Sequence, residues 1–380
     1  MADAAIDDGA KTMAGEELVQ RIAAFVEGAG RQARPVAEPP DEDSAFEALA
    51  LDAFRFQYER IDAYRRFCDG RGIDPSAIGG WREIPAVPAQ AFKSLELATA
   101  PARETFRSSG TTAERRSVHP HPYPELYRAV IDATFPAALL RGLPAAAPAG
   151  RPSILSLIPS RDELPDSSLS FLAGHVLEHY GAETSVTAIG PAGIPAKLVR
   201  SWLGGRQREG RPVVLLATAL ALAALLDTLD RLDLRFRLPA GSRLFETGGF
   251  KGRRRETERG ELLARAADRL GLPPRQVVRE YGMTELTSHF YTGALADGDP
   301  DLFLEAPWTR VRILDPLTLE EAAPGATGLI AILDLANVGS ALHLLTEDLG
   351  VAEAGGFRLT GRATGAELRG CSLTAEELTG

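Results

Sequence analysis

Cysteine is almost absent from this sequence of 380 residues, which has only Cys68 and Cys371. Two thiols cannot build a cysteine-rich zinc site or a disulfide scaffold. Lysine is scarce too: Lys11, Lys93, Lys197 and Lys251 are the only lysines among 42 cationic residues. Any mechanism that needs a lysine beyond residue 251 is therefore excluded. A basic surplus is also missing. Asp and Glu number 52, and the formal net charge is −10. That argues against a general nucleic-acid binder, whose phosphate-facing surface must be basic. Long apolar runs are lacking as well. The longest charge-free apolar run, 213–226, is short of the roughly 20 residues that cross a bilayer. Residues 1–10 have neither the basic nor the apolar region of a secretory signal. The expectation is a soluble, cytoplasmic protein with no membrane span and no nucleic-acid partner.

What is present reads as an α/β chain. The first 44 residues, rich in Ala, Gly and acids, are expected to form a flexible N-terminal segment. Within it, 16–27 has a short helical pattern (Leu18, Ile22, Phe25), and the proline-bearing stretch 34–43 reads as a linker. Phe54, Tyr58, Ile61, Tyr64 and Cys68 recur at helical spacing, which predicts one amphipathic helix over 45–68 and places Cys68 in the core. A helix is expected at 123–140, then a strand at 153–158. Asp166 and Ser167 can cap a helix that runs to Tyr180, where Gly181 stops it. Strands at 184–189, 213–217, 243–246 and 277–281 alternate with helices running through Leu232 and over 256–270. Beyond residue 300 the pattern turns to short strands, at 311–314, 328–333, 343–345 and 357–359. Alternating strands and helices followed by a β-rich portion imply an α/β core.

Four motifs carry chemistry. Arg107-Ser108-Ser109-Gly110-Thr111-Thr112 is a loop of small residues. Its hydroxyls and backbone N–H groups could approach a polyphosphate closely, although a plain loop has the same composition. Glu280-Tyr281-Gly282-Met283-Thr284-Glu285 falls at a strand end, the usual ligand position in open α/β sheets. A carboxylate beside a hydroxyl there could hold magnesium against phosphates; an acidic first turn of a helix would look alike. Thr346-Glu347-Asp348 puts an acid where it could accept two hydrogen bonds from a ribose diol, or serve only a turn. Gly361-Arg362 precedes Arg369-Gly370-Cys371-Ser372, in which a cation beside the thiol favours its thiolate. An inert tail thiol is the plainer alternative. A fifth pattern, His175-Val176-Leu177-Glu178-His179, fits the H-x-x-E-H of inverted zinc peptidases. Its apolar neighbours favour a core or pocket histidine instead.

The order of these motifs, with Glu246-Thr247-Gly248-Gly249 between the first and second, resembles the acyl-adenylate-forming superfamily. Within it the chain is similar to the acyl-protein synthetase (LuxE-type) family. The specific stretches are Ile84-Pro85-Ala86-Val87-Pro88 with Phe92-Lys93-Ser94, then 106–112, Asp166-Ser167-Ser168-Leu169, 246–251, 279–285 and 369–373. The resemblance covers about 45–376.

The resemblance implies the fold of an adenylate-forming N-terminal domain over 45–360, mixed sheets flanked by helices, with a short tail over 361–380 that carries Cys371. It implies ATP and Mg2+ as cofactors and a small-molecule carboxylic acid, a fatty acid, as substrate. Ser108, Ser109, Gly110, Thr111 and Thr112 would hold the ATP phosphates. Gly248, Gly249, Tyr281 and Gly282 would form the adenine slot. Thr284 would contact phosphate, Glu285 would bind magnesium, and Asp348 with Arg362 would hold the ribose. Cys371 would take the acyl group as a thioester and deliver it to an acyl reductase or transferase. Two departures stand out. Where the superfamily has Gly-x-x-Lys after the second Thr, this chain has Ala113-Glu114-Arg115-Arg116. The catalytic C-terminal lysine of the larger relatives has no counterpart, so adenylation would use Lys93, Lys251 or an arginine. Two alternatives remain open at this point: transfer of the acyl group to coenzyme A or an amine without self-acylation, and a non-catalytic scaffold for an acyl reductase.

Overall fold

The structure is a computed structural model. It describes residues 2–31, 44–109, 115–143, 150–248, 259–296 and 298–363. The chain divides into two compact units. The first comprises Met1–Ala133, Met283–His289 and Leu304–Gly380, and the second Thr134–Gly282 and Phe290–Phe303.

In the second unit, strands Val186–Thr187, Ser153–Ser156, Val213–Thr218, Arg243–Thr247 and Val277–Tyr281 lie side by side in that spatial order, all parallel. Phe290–Thr292 adds an antiparallel strand beside Val277–Tyr281. Val213–Thr218 reads Val-Val-Leu-Leu-Ala because a central parallel strand is covered on both faces, and five of its six residues are buried. The covering helices include Ser168–Tyr180, Ala196–Glu209, Ala219–Arg231 and Arg259–Leu270. Leu155, Leu215, Leu222, Leu226, Leu244, Leu262 and Val277 share one core here. Two of the helices start on hydroxyl caps. Ser167 Oγ accepts from Ser170 N at 3.1 Å, and Thr218 Oγ1 accepts from Ala221 N at 3.1 Å.

In the first unit, Thr309–Leu314, Gly328–Asp334, His343–Glu353 and Gly356–Arg362 form an antiparallel sheet. Val87–Pro88 pairs in parallel with His343–Glu353, Val87 opposite Leu344. Glu104–Arg107 and Val118–His121 make a separate two-stranded ribbon. The helix expected over 45–68 is two, Ser44–Arg60 and Asp62–Gly70, broken at an extended Ile61 (φ −105°, ψ 96°). Cys68 is fully buried, as expected, and burial together with the Asp69 charge pushes its thiol up to about 12. Within the N-terminal stretch, Ala2–Arg31 is a helix with Leu18, Val19, Ile22 and Val26 buried. Among the described residues no helix is long and apolar enough to cross a membrane.

Candidate active site

Each unit brings part of the expected constellation together. The boundary between them falls between Gly282 and Met283, inside the Tyr281–Glu285 motif.

The first unit holds the base of the Ser/Thr loop. Ser108 N donates to Ser117 O at 3.1 Å, and Ser117 N donates to Ser108 Oγ at 2.9 Å. The Arg116 guanidinium donates to Arg107 O at 3.1 Å and also to Ser108 O. Arg116 therefore staples the loop's base, an engagement that weakens it as a substitute for the superfamily's loop lysine. Ser109 is exposed. Gly110, Thr111 and Thr112 lie outside the described residues.

Thr284 and Glu285 begin a segment with no regular secondary structure. Side chains from two distant stretches clamp its backbone. His119 Nδ1 donates to Thr284 O at 2.7 Å. Asn337 Nδ2 donates to Glu285 O at 2.9 Å and to Ala341 O at 2.7 Å, while Asn337 Oδ1 accepts from Thr287 Oγ1 at 2.9 Å. The buried Asp334 carboxylate accepts from Thr287 N (3.2 Å), Ser288 N (2.8 Å), Ser288 Oγ (2.7 Å) and Ala336 N (3.0 Å). Burial lowers the His119 pKa to about 4, against the pull of its bonds to Thr284 and Asn337. His119 is therefore neutral, with its proton on the nitrogen that faces the carbonyl.

Asp348 and Arg362 are cross-strand partners in register. Arg362 donates to Glu347, which also accepts from Gln90 Nε2. Burial works against the Arg362 cation, but its bond to Glu347 and the charges of Glu347, Asp348 and Glu285 raise its pKa. Thus Glu285, Asp348 and Arg362, far apart in sequence, share one electrostatic neighbourhood. Glu285 is buried and Asp348 is half-buried.

The second unit places Gly248 and Gly282 just past the ends of two adjacent parallel strands, where Thr247 is opposite Glu280. Thr247 Oγ1 donates to the Glu280 carboxylate. Gly248 has φ +68°, a conformation that favours glycine. Tyr281 is buried against Phe290 and Phe303, at ring distances of 6.2 and 5.9 Å. Gly249 lies outside the described residues. Beside these strand ends Glu246 is buried, with Arg259 Nε at 3.7 Å and Arg279 Nε at 3.9 Å. Both arginines also reach Asp301, at 3.1 and 3.2 Å. Burial raises the Glu246 pKa against the opposing pull of Arg279 and Arg259.

His175 and His179 stack at 4.1 Å, and His179 Nδ1 lies 3.0 Å from His175 O. Among the described residues no three His, Cys, Asp or Glu side chains stand together as metal ligands, so the zinc pattern has no support. Glu285 with the Thr284 hydroxyl offers hard oxygen donors that are too few to hold a metal alone. Such a set fits magnesium, which one or two carboxylates commonly share with substrate phosphates. Cys371 lies outside the described residues. Sequence reasoning missed Asp334 and Asn337; the run Asp-Leu-Ala-Asn after a buried strand was the available signal. It also missed His119, whose signal was His-Pro-His just after the Ser/Thr loop.

A family model described as "Acyl-protein synthetase, LuxE" matches residues 21–119 and 199–379. A long-chain-fatty-acid–luciferin-component ligase of Photorhabdus luminescens is 32% identical over 81 residues, which are 20% of this chain and 69% of that protein. Among solved structures, 2-hydroxyisobutyryl-CoA ligase in the postadenylation state with R3-HIB-AMP gives a TM-score of 0.61 at 16% identity. The match covers 90% of this chain and 74% of that one. The same ligase in an open conformation with 2-HIB-AMP and CoA gives 0.60 at 17% identity, over 86% and 71%. At such identity the likeness establishes the fold, that of the adenylate-forming ligases, in agreement with the α/β reading. With its family model matched over most of its length, the chain belongs to the acyl-protein synthetase (LuxE) family and is an acyl-adenylate-forming ligase.

Proposed function

We propose that this ligase activates a fatty acid with ATP and then carries the acyl group on Cys371, as a thioester, for delivery to an acyl reductase or transferase. The observation that carries the nucleotide half of this reading is the shared neighbourhood of Glu285, Asp348 and Arg362.

A carboxylate is a poor acyl donor because its leaving group would be oxide. One carboxylate oxygen attacks the α-phosphorus of ATP. A P–O bond forms there, and the bond to pyrophosphate breaks with its electron pair. In this reading Asp348 accepts from the ribose hydroxyls, and Arg362 fixes the carboxylates around it. The Thr284 hydroxyl donates to phosphate, and Ser108 to Thr112 supply further donors. Gly248, Gly249, Tyr281 and Gly282 bound the adenine. Glu285 would hold magnesium, which neutralises phosphate charge when bound. In the second half-reaction the Cys371 thiolate forms a bond to the acyl carbon and AMP leaves. An ordinary thiol has a pKa of about 8.5 and is ionised to a few per cent at neutral pH.

The test is ATP–pyrophosphate exchange across a panel of fatty and aryl acids, followed by intact mass with ATP and the best acid. The expected result is a fatty-acid preference and one acyl adduct. Cys371→Ser should keep the exchange and lose the adduct. An adduct that survives Cys371→Ser, or transfer only to coenzyme A with no adduct, would sink the self-acylation.

A further inference from the structure

A carboxylate attacking a polyphosphate brings like charges together, so the site needs cations that are free to turn toward the nucleotide. The cations near the first unit's acids are mostly committed. Arg362 is paired with Glu347. Arg116 is bonded to two carbonyls of the loop base. Lys93 is different. It ends a 3-10 turn, Ala89–Lys93, that is braced on two sides. On one side Gln90 donates to Glu347, the neighbour of Asp348. On the other, Phe92 meets His119 edge-on at 5.5 Å, and His119 holds the Thr284 carbonyl.

Residues three apart in a 3-10 turn lie on the same face, so Lys93 follows Gln90 toward Glu347. Its charge is felt there: burial raises the Glu347 pKa, but bonds from Gln90 and Arg362 and the charges of Arg362 and Lys93 bring it below the ordinary value. Yet the half-buried Lys93 makes no hydrogen bond and no ion pair with any described residue. A long flexible stem that carries a point charge suits a lysine to meet phosphate.

We propose that Lys93 is the catalytic cation of adenylation, its ammonium contacting the nucleotide phosphates and stabilising the departing pyrophosphate. This rests on the acyl-AMP reading above. No proton moves in the step: the ammonium stays charged while the P–O bond to pyrophosphate breaks.

Lys93→Met and Lys93→Arg in the full chain test it by two independent measurements. In ATP–pyrophosphate exchange, Lys93→Met should lose about 10²- to 10³-fold in rate with the KM for the acid unchanged. Lys93→Arg should recover part of that loss. By calorimetric titration, Lys93→Met should weaken ATP at least about tenfold, a loss of ~1.4 kcal/mol, and leave adenosine binding unchanged. Melting of Lys93→Met should stay close to that of wild type, since among the described residues the side chain has only its charge interaction with Glu347 to lose. ATP affinity in Lys93→Met equal to wild type would overturn the assignment, as would equal loss of ATP and adenosine. A wild type that binds ATP but exchanges with no acid would overturn the adenylation reading and with it the catalytic role of Lys93, while the ATP-against-adenosine comparison would still decide whether Lys93 contacts the phosphates.

Discussion

His119 holds the Thr284 carbonyl, 165 residues away, by a hydrogen bond from Nδ1, and its ring also bonds to Asn337. Because burial keeps the ring neutral, its Nδ1–H is fixed as the donor. Replacing His119 with Asn can keep a donor near that place, whereas His119→Leu removes it and leaves the carbonyl unpaired in a buried setting. We predict that His119→Leu slows ATP–pyrophosphate exchange by about ten- to a hundredfold, the scale of a misplaced catalytic group. His119→Asn should stay within about fivefold of wild type, about 1 kcal/mol. Exchange rates for the two variants, with melting curves to confirm folding, decide this. Equal loss in both would mean that the ring's shape matters rather than its donor. Legibility at this scale splits along the same line. Thr284, Glu285, Asp348 and Arg362 enter the proposed site through the order of their motifs, which the sequence displays by itself. His119, Asn337 and Asp334 were not, because their targets are backbone groups and any residue supplies a carbonyl or an N–H.

Elements whose burial is uniform were legible, and those that depend on partners were not. Val213–Thr218 shows itself as an unbroken apolar run because both its faces are covered. His343–Glu353 was read only as far as residue 345, since its later residues are partly exposed and polar, while the hydrogen bonds to Gly356–Arg362 carry the strand on. The break at Ile61 has no glycine or proline to mark it. The segment from Thr284 to Ser288 is the extreme case, an irregular stretch held by His119, Asn337 and Asp334, with the Asp334 carboxylate fixing its Thr287–Ser288 end. Two backbone N–H groups face Asp334 Oδ2, and the Ser288 hydroxyl and Ala336 N–H face Oδ1. An asparagine there must turn its NH₂ toward one of these pairs. The lesser conflict leaves Ala336 N–H unpaired, because Ser288 Oγ can turn to accept. Asp334→Asn should therefore cost ~1–3 kcal/mol, read as a lower urea midpoint with an unchanged m-value. A midpoint equal to wild type would show that the network relaxes around the substitution.

At the scale of the whole molecule, the α/β core and the β-rich portion were visible in the alternation of patterns, but the interleaving of the two units was not. Nothing local shows that Gln57 belongs beside Asn337, Val338 and Leu342, to which it bonds at 2.9–3.1 Å. The same holds for Val87 opposite Leu344. This division has a consequence for pH. Burial depresses the pKa of His119 and His343 to about 4 and that of His121 well below its usual value, and all three lie in the first unit. Between about pH 6.5 and pH 4 the unfolded unit binds protons that the folded unit refuses, so its stability falls as the pH falls. Glu305, in the same unit, has the opposite sign. Burial raises it to about 7, against a backbone bond from Val311 and the Arg310 charge. Its contribution is present below pH 4.5 and lost as the pH rises through 7. Glu305→Gln should therefore raise the melting temperature more at pH 8 than at pH 5. The buried Asp334 carboxyl is raised too and shares the sign of Glu305, but the three histidines outnumber these two acids, so acid should weaken the first unit on balance. Incubation in matched urea at pH 5 and pH 7.5, then pulse hydrogen exchange at one common pH, follows both units at once. At pH 5 the strand His343–Glu353 should lose protection ahead of Val213–Thr218, and at pH 7.5 that gap should narrow. Loss of both strands together at pH 5, or of Val213–Thr218 first, would mean that the buried histidines do not govern the first unit's acid response.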